Sequence, residues 1–280
     1  AVTVLTGCYP QAFPEEAAAV MEADLVTGSA NRRSLLADIQ KVLDSGERLV
    51  HITPHEKGEA FEELPMEHFE GHTRAFIKVE DGCNRQCAYC VIPRARGRVR
   101  SRSVESVLEE LRTLSAAGYR EVVLSGINLP SYGLDTGVSL VSLIEQAATV
   151  PGIRRIRLGS LEPDLLSDED MARLANVDAL CPQFHLSLQS GCTATLRRMR
   201  RTYTAEQYAD FGEDRVSFTT DVIVGFPGET EEEFCESMAF VQRIGFLKAH
   251  VFPYSRRAGT PAADFPDQIP EEEKARRVHR

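Results

Sequence analysis

The chain is predicted to be an α/β protein, a small α/β unit followed by a longer run of parallel strands and helices. Three observations lead there. From Arg74 onward, stretches with strand periodicity alternate with stretches of helical periodicity. In Phe184-His185-Leu186-Ser187-Leu188-Gln189 the polar residues fall on one strand face and the apolar residues on the other. A cysteine-rich loop, Cys83-Asn84-Arg85-Gln86-Cys87-Ala88-Tyr89-Cys90, follows the first strand of the long run.

Residues 1–57 form the first unit. A strand at 2–5 leads through Gly7-Cys8 to a helix around 15–21, a short strand at 24–26 and a helix at 33–43. Residues 58–73 are acidic and polar, contain Pro65 and Gly71, and read as a linker. The second unit spans 74–280. Its strands are expected at 74–79, 121–124, 154–158, 183–188, 218–224 and 249–252, with helices near 104–116, 140–148, 166–174, 193–199 and 231–244. Such a series predicts a parallel sheet, either curved into a partial barrel or left open and doubly wound.

The strand faces bear on that choice. A packed barrel interior is apolar, so His185, Ser187 and Gln189 on one face imply a lumen that holds a ligand. An edge strand with one wet face is the alternative. His250 and Tyr254 share a face with Phe252 and give the same impression. Parallel α/β sheets carry their sites at the C-terminal strand ends, which is where the cysteine loop lies.

The spacing Cys-x3-Cys-x2-Cys at 83, 87 and 90 brings together three soft ligands. Three thiolates can hold three irons of a four-iron cluster and leave the fourth open to a small molecule. A zinc site with a fourth ligand elsewhere, or three unrelated buried thiols, are the competing readings. His72, eleven residues before Cys83, does not have zinc-finger spacing. Cys181, Cys192 and Cys235 have no motif spacing and read as structural.

The composition excludes some classes. No apolar run is long enough to span a bilayer, and sparse, odd-numbered cysteines do not suit a secreted disulfide framework. A reducing cytoplasm fits. The net charge of -10 argues against nucleic-acid binding by the whole surface. Locally, Arg94, Arg96, Arg98, Arg100 and Arg102 alternate, and an extended segment would line them up for phosphates. A solvated loop is the plainer alternative. Arg197, Arg198, Arg200 and Arg201 form a second basic group. The chain opens on a strand without Met and stops within the charged helical pattern of 271–277, so both ends read as cuts through a longer protein.

With these motifs placed, the sequence resembles the radical S-adenosylmethionine (SAM) superfamily and, within it, the methylthiotransferases. The resemblance rests on Thr6-Gly7-Cys8-Tyr9, on residues 72–79, on the cysteine loop through Ile92-Pro93, and on Leu158-Gly159-Ser160-Leu161-Glu162-Pro163. It continues through Ser187-Leu188-Gln189-Ser190-Gly191, residues 221–230 and His250-Val251-Phe252-Pro253-Tyr254-Ser255. Residues 95–102 and 125–133 look like the subgroup acting on N6-threonylcarbamoyladenosine next to the tRNA anticodon.

The resemblance implies a partial (β/α)6 radical SAM barrel preceded by part of a small α/β methylthiotransferase domain. It implies that Cys83, Cys87 and Cys90 hold a [4Fe–4S] cluster whose open iron binds SAM, and that a methylthio group is added at C2 of the modified adenosine. Tyr89, Gly126, Ile127, Asn128, Glu162, Ser187, Gln189, Arg201, Ile223 and Val224 are the implied SAM contacts. Glu162 could instead cap a helix before Pro163, and Tyr89, Ile223 and Val224 could simply pack. Arg200 stands where the family pattern leads us to expect asparagine. Cys8 resembles one ligand of a second, auxiliary [4Fe–4S] cluster, whose other two ligands would lie upstream of Ala1. Arg96, Arg98, Arg100 and Arg102 are the candidate RNA contacts. The implied partners are tRNA and an electron donor such as flavodoxin or ferredoxin, with no membrane. Isopentenyladenosine in tRNA and a ribosomal protein are alternative substrates, and a non-catalytic, metal-clipped RNA-binding module is an alternative class.

Overall fold

The N-terminal unit is a three-stranded parallel sheet of β1 (Val4–Leu5), β2 (Leu25–Thr27) and β3 (Leu49–His51), in that order. The structure, a computed structural model, describes residues 1–30, 32–210 and 216–280. Parallel neighbours need a crossover; α1 (Cys8–Ala12) and α2 (Pro14–Ala18) supply the first, and α3 (Leu35–Ser45) the second. Ala17, Ala23 and Val26 form the small core. The sequence reading missed β3. It is three residues long, and only Val50 breaks its half-buried pattern.

Residues 58–73 form no helix or strand, yet they are stitched to both sides. Arg33 donates to the Glu63 carbonyl at 2.8 Å, the Met66 amide donates to Glu110 at 3.0 Å, and the Phe69 amide donates to the Tyr119 hydroxyl at 2.8 Å.

The larger unit contains β4 (Ala75–Lys78), β5 (Glu80–Asp81), β6 (Arg100–Ser101), β7 (Glu121–Ser125), β8 (Arg155–Leu158), β9 (Ser160–Leu161), β10 (Gln183–Leu186), β11 (Ser217–Val224) and β12 (Lys248–Pro253). Strands β4-β7-β8 form one parallel sheet and β9-β10-β11-β12 another, while β5 and β6 make an antiparallel ribbon. The chain passes from one sheet to the other at Gly159, whose amide donates to the Leu124 carbonyl at 2.8 Å. All six predicted strands are present.

Side-chain alternation resolves the architecture. Ala75, Ile77, Val122, Leu124, Ile156, Leu158, Phe184, Leu186, Val222 and Val224 all enter one apolar core with the helices. Their alternates, including Lys78, Ser125, Arg157, His185 and Asp221, remain partly accessible on the other face. A doubly wound sheet is covered by helices on both faces, so the curved, partial-barrel reading holds and its concave face is polar. His185 Nε2 lies 3.2 Å from Asp221 across that face. His250 and Phe252 stack at 6.4 Å, but Tyr254 lies beyond the end of β12 and is buried at 5.3 Å from the Phe226 ring. The shared face expected for all three ends at Phe252.

The helices are α4 (Ile92–Arg96), α5 (Val104–Ala116), α6 (Leu140–Ala148), α7 (Asp168–Leu174), α8 (Thr193–Arg198), α9 (Ala205–Ala209), α10 (Glu231–Ile244) and α11 (Glu271–His279). Their starts are written locally. Ser103 and Ser139 cap α5 and α6, and Ser167 with Asp170 and Thr230 with Glu233 form capping boxes on α7 and α10. Each such cap is worth about 1 kcal/mol. Among the described residues no helix is long and apolar enough to cross a membrane.

Candidate metal centre and cofactor pocket

The cysteine loop leaves the β5–β6 ribbon at Gly82. There φ is +87°, and a Cβ would lie 2.0 Å from the Arg98 carbonyl oxygen, so the close return of the chain requires glycine. The loop is then pinned through its backbone. The Cys83 amide donates to Gly97, the Ala88 amide to Met199, and the Ala262 amide to the Ala88 carbonyl, at 2.8–3.1 Å. A turn closes from the Cys90 amide to the Cys87 carbonyl at 3.1 Å. Cys87 is buried and Cys83 and Cys90 are half-buried, all three as free thiols.

The three cysteines line one cavity of about 200 Å³ at the C-terminal ends of the strands. Tyr89, Ile127, Asn128, Glu162, Ser187, Gln189 and Arg201 share that cavity. Each is positioned by its neighbours. Tyr89 stands edge-on to Phe226 at 6.4 Å. The Ser187 amide donates to Leu161 at 3.1 Å, and the Ser187 carbonyl accepts the Tyr203 hydroxyl at 2.6 Å. Gln189 takes a left-handed φ of +67°, and its carbonyl accepts the Ile223 amide at 2.8 Å. A non-glycine residue there is uncommon and costs about 1–3 kcal/mol.

Electrostatics centre on Arg201, Glu162 and the thiols. Arg201 is nearly buried, and its Nη1 lies 2.7 Å from Glu162 and 3.3 Å from the Cys87 sulfur. Glu162 also receives Arg85 Nε at 2.9 Å and Asn128 Nδ2 at 3.4 Å. It makes no side-chain cap for the 3-10 turn Pro163–Leu165, so the capping alternative falls. Burial pushes the Cys90 thiol up to about 11 and raises that of Cys83. Thiolates therefore form here when a metal takes the place of the proton. Burial also drives the Tyr89 phenol well above its usual range.

The donor set fits a cluster with a chelating ligand. Among the described residues no three His, Cys, Asp or Glu side chains converge to grip a single ion. The three thiols on one cavity match a cluster in which each thiolate binds a different iron. Among the described residues, two buried polar atoms on cavity residues have no partner, the Asn128 Oδ1 acceptor and the Arg201 Nη2 donor. Buried polar atoms are normally satisfied, and an ammonium and a carboxylate would satisfy these two.

Other expectations change. Val224 is packed in the main core while Ile223 faces the other way, towards Tyr89 and Phe226. Adjacent strand residues cannot both face one ligand, and neither lines the cavity. Gly126 also stands outside the lining, where a Cβ would come within 2.5 Å of Glu80. The extended arginine strip does not form. Arg94 and Arg96 belong to α4. Arg100 is buried against Glu59 at 2.8 Å, and Arg102 is buried in an ion pair with Glu110. These two hold acidic side chains inside the protein and cannot also reach RNA phosphates. Arg96 turns inward, its Nε 3.2 Å from the Cys8 sulfur and its Nη1 3.5 Å from Asp81. Arg98 remains exposed.

Sequence reasoning missed two participants. Arg85, inside the loop, binds Glu162, Asp164 and Thr202 and so ties the cysteine loop to the far strands. Glu80 is fully buried, and its Oε2 accepts the Asn128 amide at 2.8 Å. Glu80 gave no signal in the sequence, because its partner, the Asn128 backbone amide, lies 48 residues further on.

Comparison with known proteins agrees with this geometry. Residues 77–241 match the radical SAM superfamily, whose cofactors are SAM and a [4Fe–4S] cluster. The chain is 40% identical over its whole length to the threonylcarbamoyladenosine tRNA methylthiotransferase MtaB of Bacillus subtilis, spanning 64% of that protein. It is also 40% identical to the Aquifex aeolicus protein of the same name, over 99% of this chain and 69% of the relative. A tRNA-2-methylthio-N(6)-dimethylallyladenosine synthase of Pelotomaculum thermopropionicum is 39% identical, with 97% of this chain and 63% of the relative covered. Among solved structures, the radical SAM methyltransferase TsrM of Kitasatospora setae, with cobalamin and a [4Fe–4S] cluster bound, shares the fold over 67% of this chain and 38% of its own, with a TM-score of 0.56 at 21% identity. Methylornithine synthase (PylB) does so over 74% and 61%, with a TM-score of 0.53 at 20% identity. The chain belongs to the radical SAM methylthiotransferase family.

Proposed function

We propose that the protein is a methylthiotransferase that replaces the C2 hydrogen of N6-threonylcarbamoyladenosine in tRNA with a methylthio group. The observation that carries this reading is the shared cavity: three thiols, a buried unpaired arginine nitrogen and a buried unpaired amide oxygen. The substrate rests on similarity to the two relatives named for that nucleoside, each at 40% identity.

Cys83, Cys87 and Cys90 would hold the cluster. Arg201 Nη2 would take the SAM carboxylate and Asn128 Oδ1 the amino group, with Glu162 adding negative charge on the same side. Tyr89 and Ile127 give the cavity apolar wall, and Ser187 and Gln189 offer polar groups to a ribose. When bound, the cluster supplies the electron that opens SAM to a carbon radical. The residues around it must exclude water and fix the target hydrogen, since such a radical is indiscriminate. An adenine would have to leave its stack to reach this cavity.

In this reading residues 1–57 belong to the N-terminal methylthiotransferase domain, 58–73 connect it, and 74–280 are the radical SAM core. Cys8 would serve an auxiliary cluster, tRNA is the partner, and a flavodoxin- or ferredoxin-type protein in the cytoplasm supplies electrons. The test incubates the reconstituted full-length protein with tRNA carrying either threonylcarbamoyladenosine or dimethylallyladenosine, followed by nucleoside mass spectrometry. A methylthio product on the threonylcarbamoyl nucleoside is expected. Product only on the dimethylallyl nucleoside would reassign the substrate.

A further inference from the structure

A second cavity, about 480 Å³, separates the N-terminal unit from the cysteine loop. Cys83 and Arg85 line both this cleft and the cluster cavity, so the two adjoin. Four cationic side chains line it, Lys57, Arg85, Arg94 and Arg98, against one lining carboxylate, Glu56. In a protein of net charge -10 such a local excess is notable.

Two of the four are already engaged. Arg85 binds Glu162 and Asp164. Arg94 donates to the Ala12 carbonyl at 2.6 Å and lies over the Phe13 ring at 5.2 Å. His55, which also lines the cleft, is bound to Glu59 at 2.6 Å. Among the described residues, the Lys57 ammonium and the Arg98 guanidinium have neither a carboxylate nor a hydrogen-bond acceptor. Arg98 is nonetheless fixed at its root. Its carbonyl sits against Gly82 and accepts Arg100 Nη1 at 2.8 Å.

We propose that Lys57 and Arg98 are specificity-determining residues that receive an anionic substituent of the substrate base, the carboxylate of the threonylcarbamoyl group. This rests on the function proposed above. If C2 of the adenine faces the cluster cavity, the N6 substituent, carried on C6 at the other side of N1, diverges from it and leads into an adjoining space. The cleft that shares Cys83 and Arg85 with the cluster cavity is such a space. A neighbouring cleft with unpaired cations suits an amino-acid substituent and not an apolar dimethylallyl group. A guanidinium also matches a carboxylate in a bidentate pair. RNA phosphates carry the same kind of charge, and the test distinguishes them.

The test measures binding of anticodon stem-loops with threonylcarbamoyladenosine or plain adenosine by the full-length, cluster-loaded protein. In Lys57→Gln/Arg98→Gln the affinity for the threonylcarbamoyl stem-loop should fall roughly tenfold or more, as for a lost charge-assisted hydrogen bond. Affinity for the plain stem-loop should change less than about twofold, its phosphate contacts being intact. Arg98→Lys should restore part of the preference, and circular dichroism checks folding. A parallel loss for both stem-loops with a smaller salt slope would mean phosphate contact and overturn the inference, as would an unchanged preference. If the wild-type protein neither prefers nor modifies the threonylcarbamoyl substrate, the proposed function itself fails.

Discussion

Glu80 offers a test that depends on neither substrate nor cluster. Its side chain is fully buried beneath the 126–128 turn, where Oε2 accepts the Asn128 amide at 2.8 Å and Oε1 has no partner among the described residues. Burial, reinforced by the adjacent Asp81 charge, pushes its carboxyl from 4.5 to about 7, against the pull of the Asn128 and Ile127 amides and Arg100. Between these values the unfolded chain has lost the proton and the folded chain keeps it. Stability therefore falls as pH rises across that window. At about 1.4 kcal/mol per pH unit, the displacement from 4.5 to about 7 amounts to about 3 kcal/mol. Glu80→Gln preserves shape and cannot ionise. Urea unfolding of the cluster-free protein from pH 4.5 to 8.5 should show the variant gaining about 3 kcal/mol relative to wild type as pH rises. Parallel stability curves for the two proteins would refute the buried, proton-retaining Glu80.

Further substitutions probe other parts of the site. Arg102→Met leaves Glu110 buried without its cation and should cost about 3–5 kcal/mol in urea unfolding, while the salt dependence of tRNA binding is unchanged; a shallower salt slope at unchanged stability would restore the phosphate-strip reading. Gly82→Ala forces a left-handed φ costing about 1–3 kcal/mol and drives Cβ into the Arg98 carbonyl, so iron uptake should drop while far-ultraviolet circular dichroism is kept. Full iron incorporation would show that the loop has another route. Arg201→Gln should weaken SAM binding about tenfold or more in equilibrium dialysis, and wild-type affinity would remove Arg201 from the carboxylate site.

The strands and the cysteine site were legible because each carries its own local signal. Two-residue alternation wrote the polar face of residues 183–189, and three thiols within eight residues share a loop whatever surrounds them. The arginine series shows the limit. Alternation at 94–102 predicts a common face only if the segment is extended, and Ile92-Pro93 instead starts a helix. Whether Arg100 and Arg102 meet solvent or carboxylates is set by Glu59, Asp81 and Glu110, brought in by tertiary folding. The β5–β6 ribbon pairs two residues with two, too few for any period. The structure accounts for the departure at Arg200. Its φ of +58° is a conformation that asparagine tolerates better than arginine, which accounts for the residue type expected there.

The account's central claim is that Cys83, Cys87 and Cys90 together build an open cluster that activates SAM. Anaerobic reconstitution of the full-length protein and of its three single Cys→Ala variants, followed by quantification of 5′-deoxyadenosine under a strong reductant, tests it most directly. The wild-type protein should form 5′-deoxyadenosine, and each variant should form none while keeping its far-ultraviolet circular dichroism. SAM cleavage that survives any of the three substitutions, or a wild-type protein that binds a single zinc ion and cleaves no SAM, would contradict the claim.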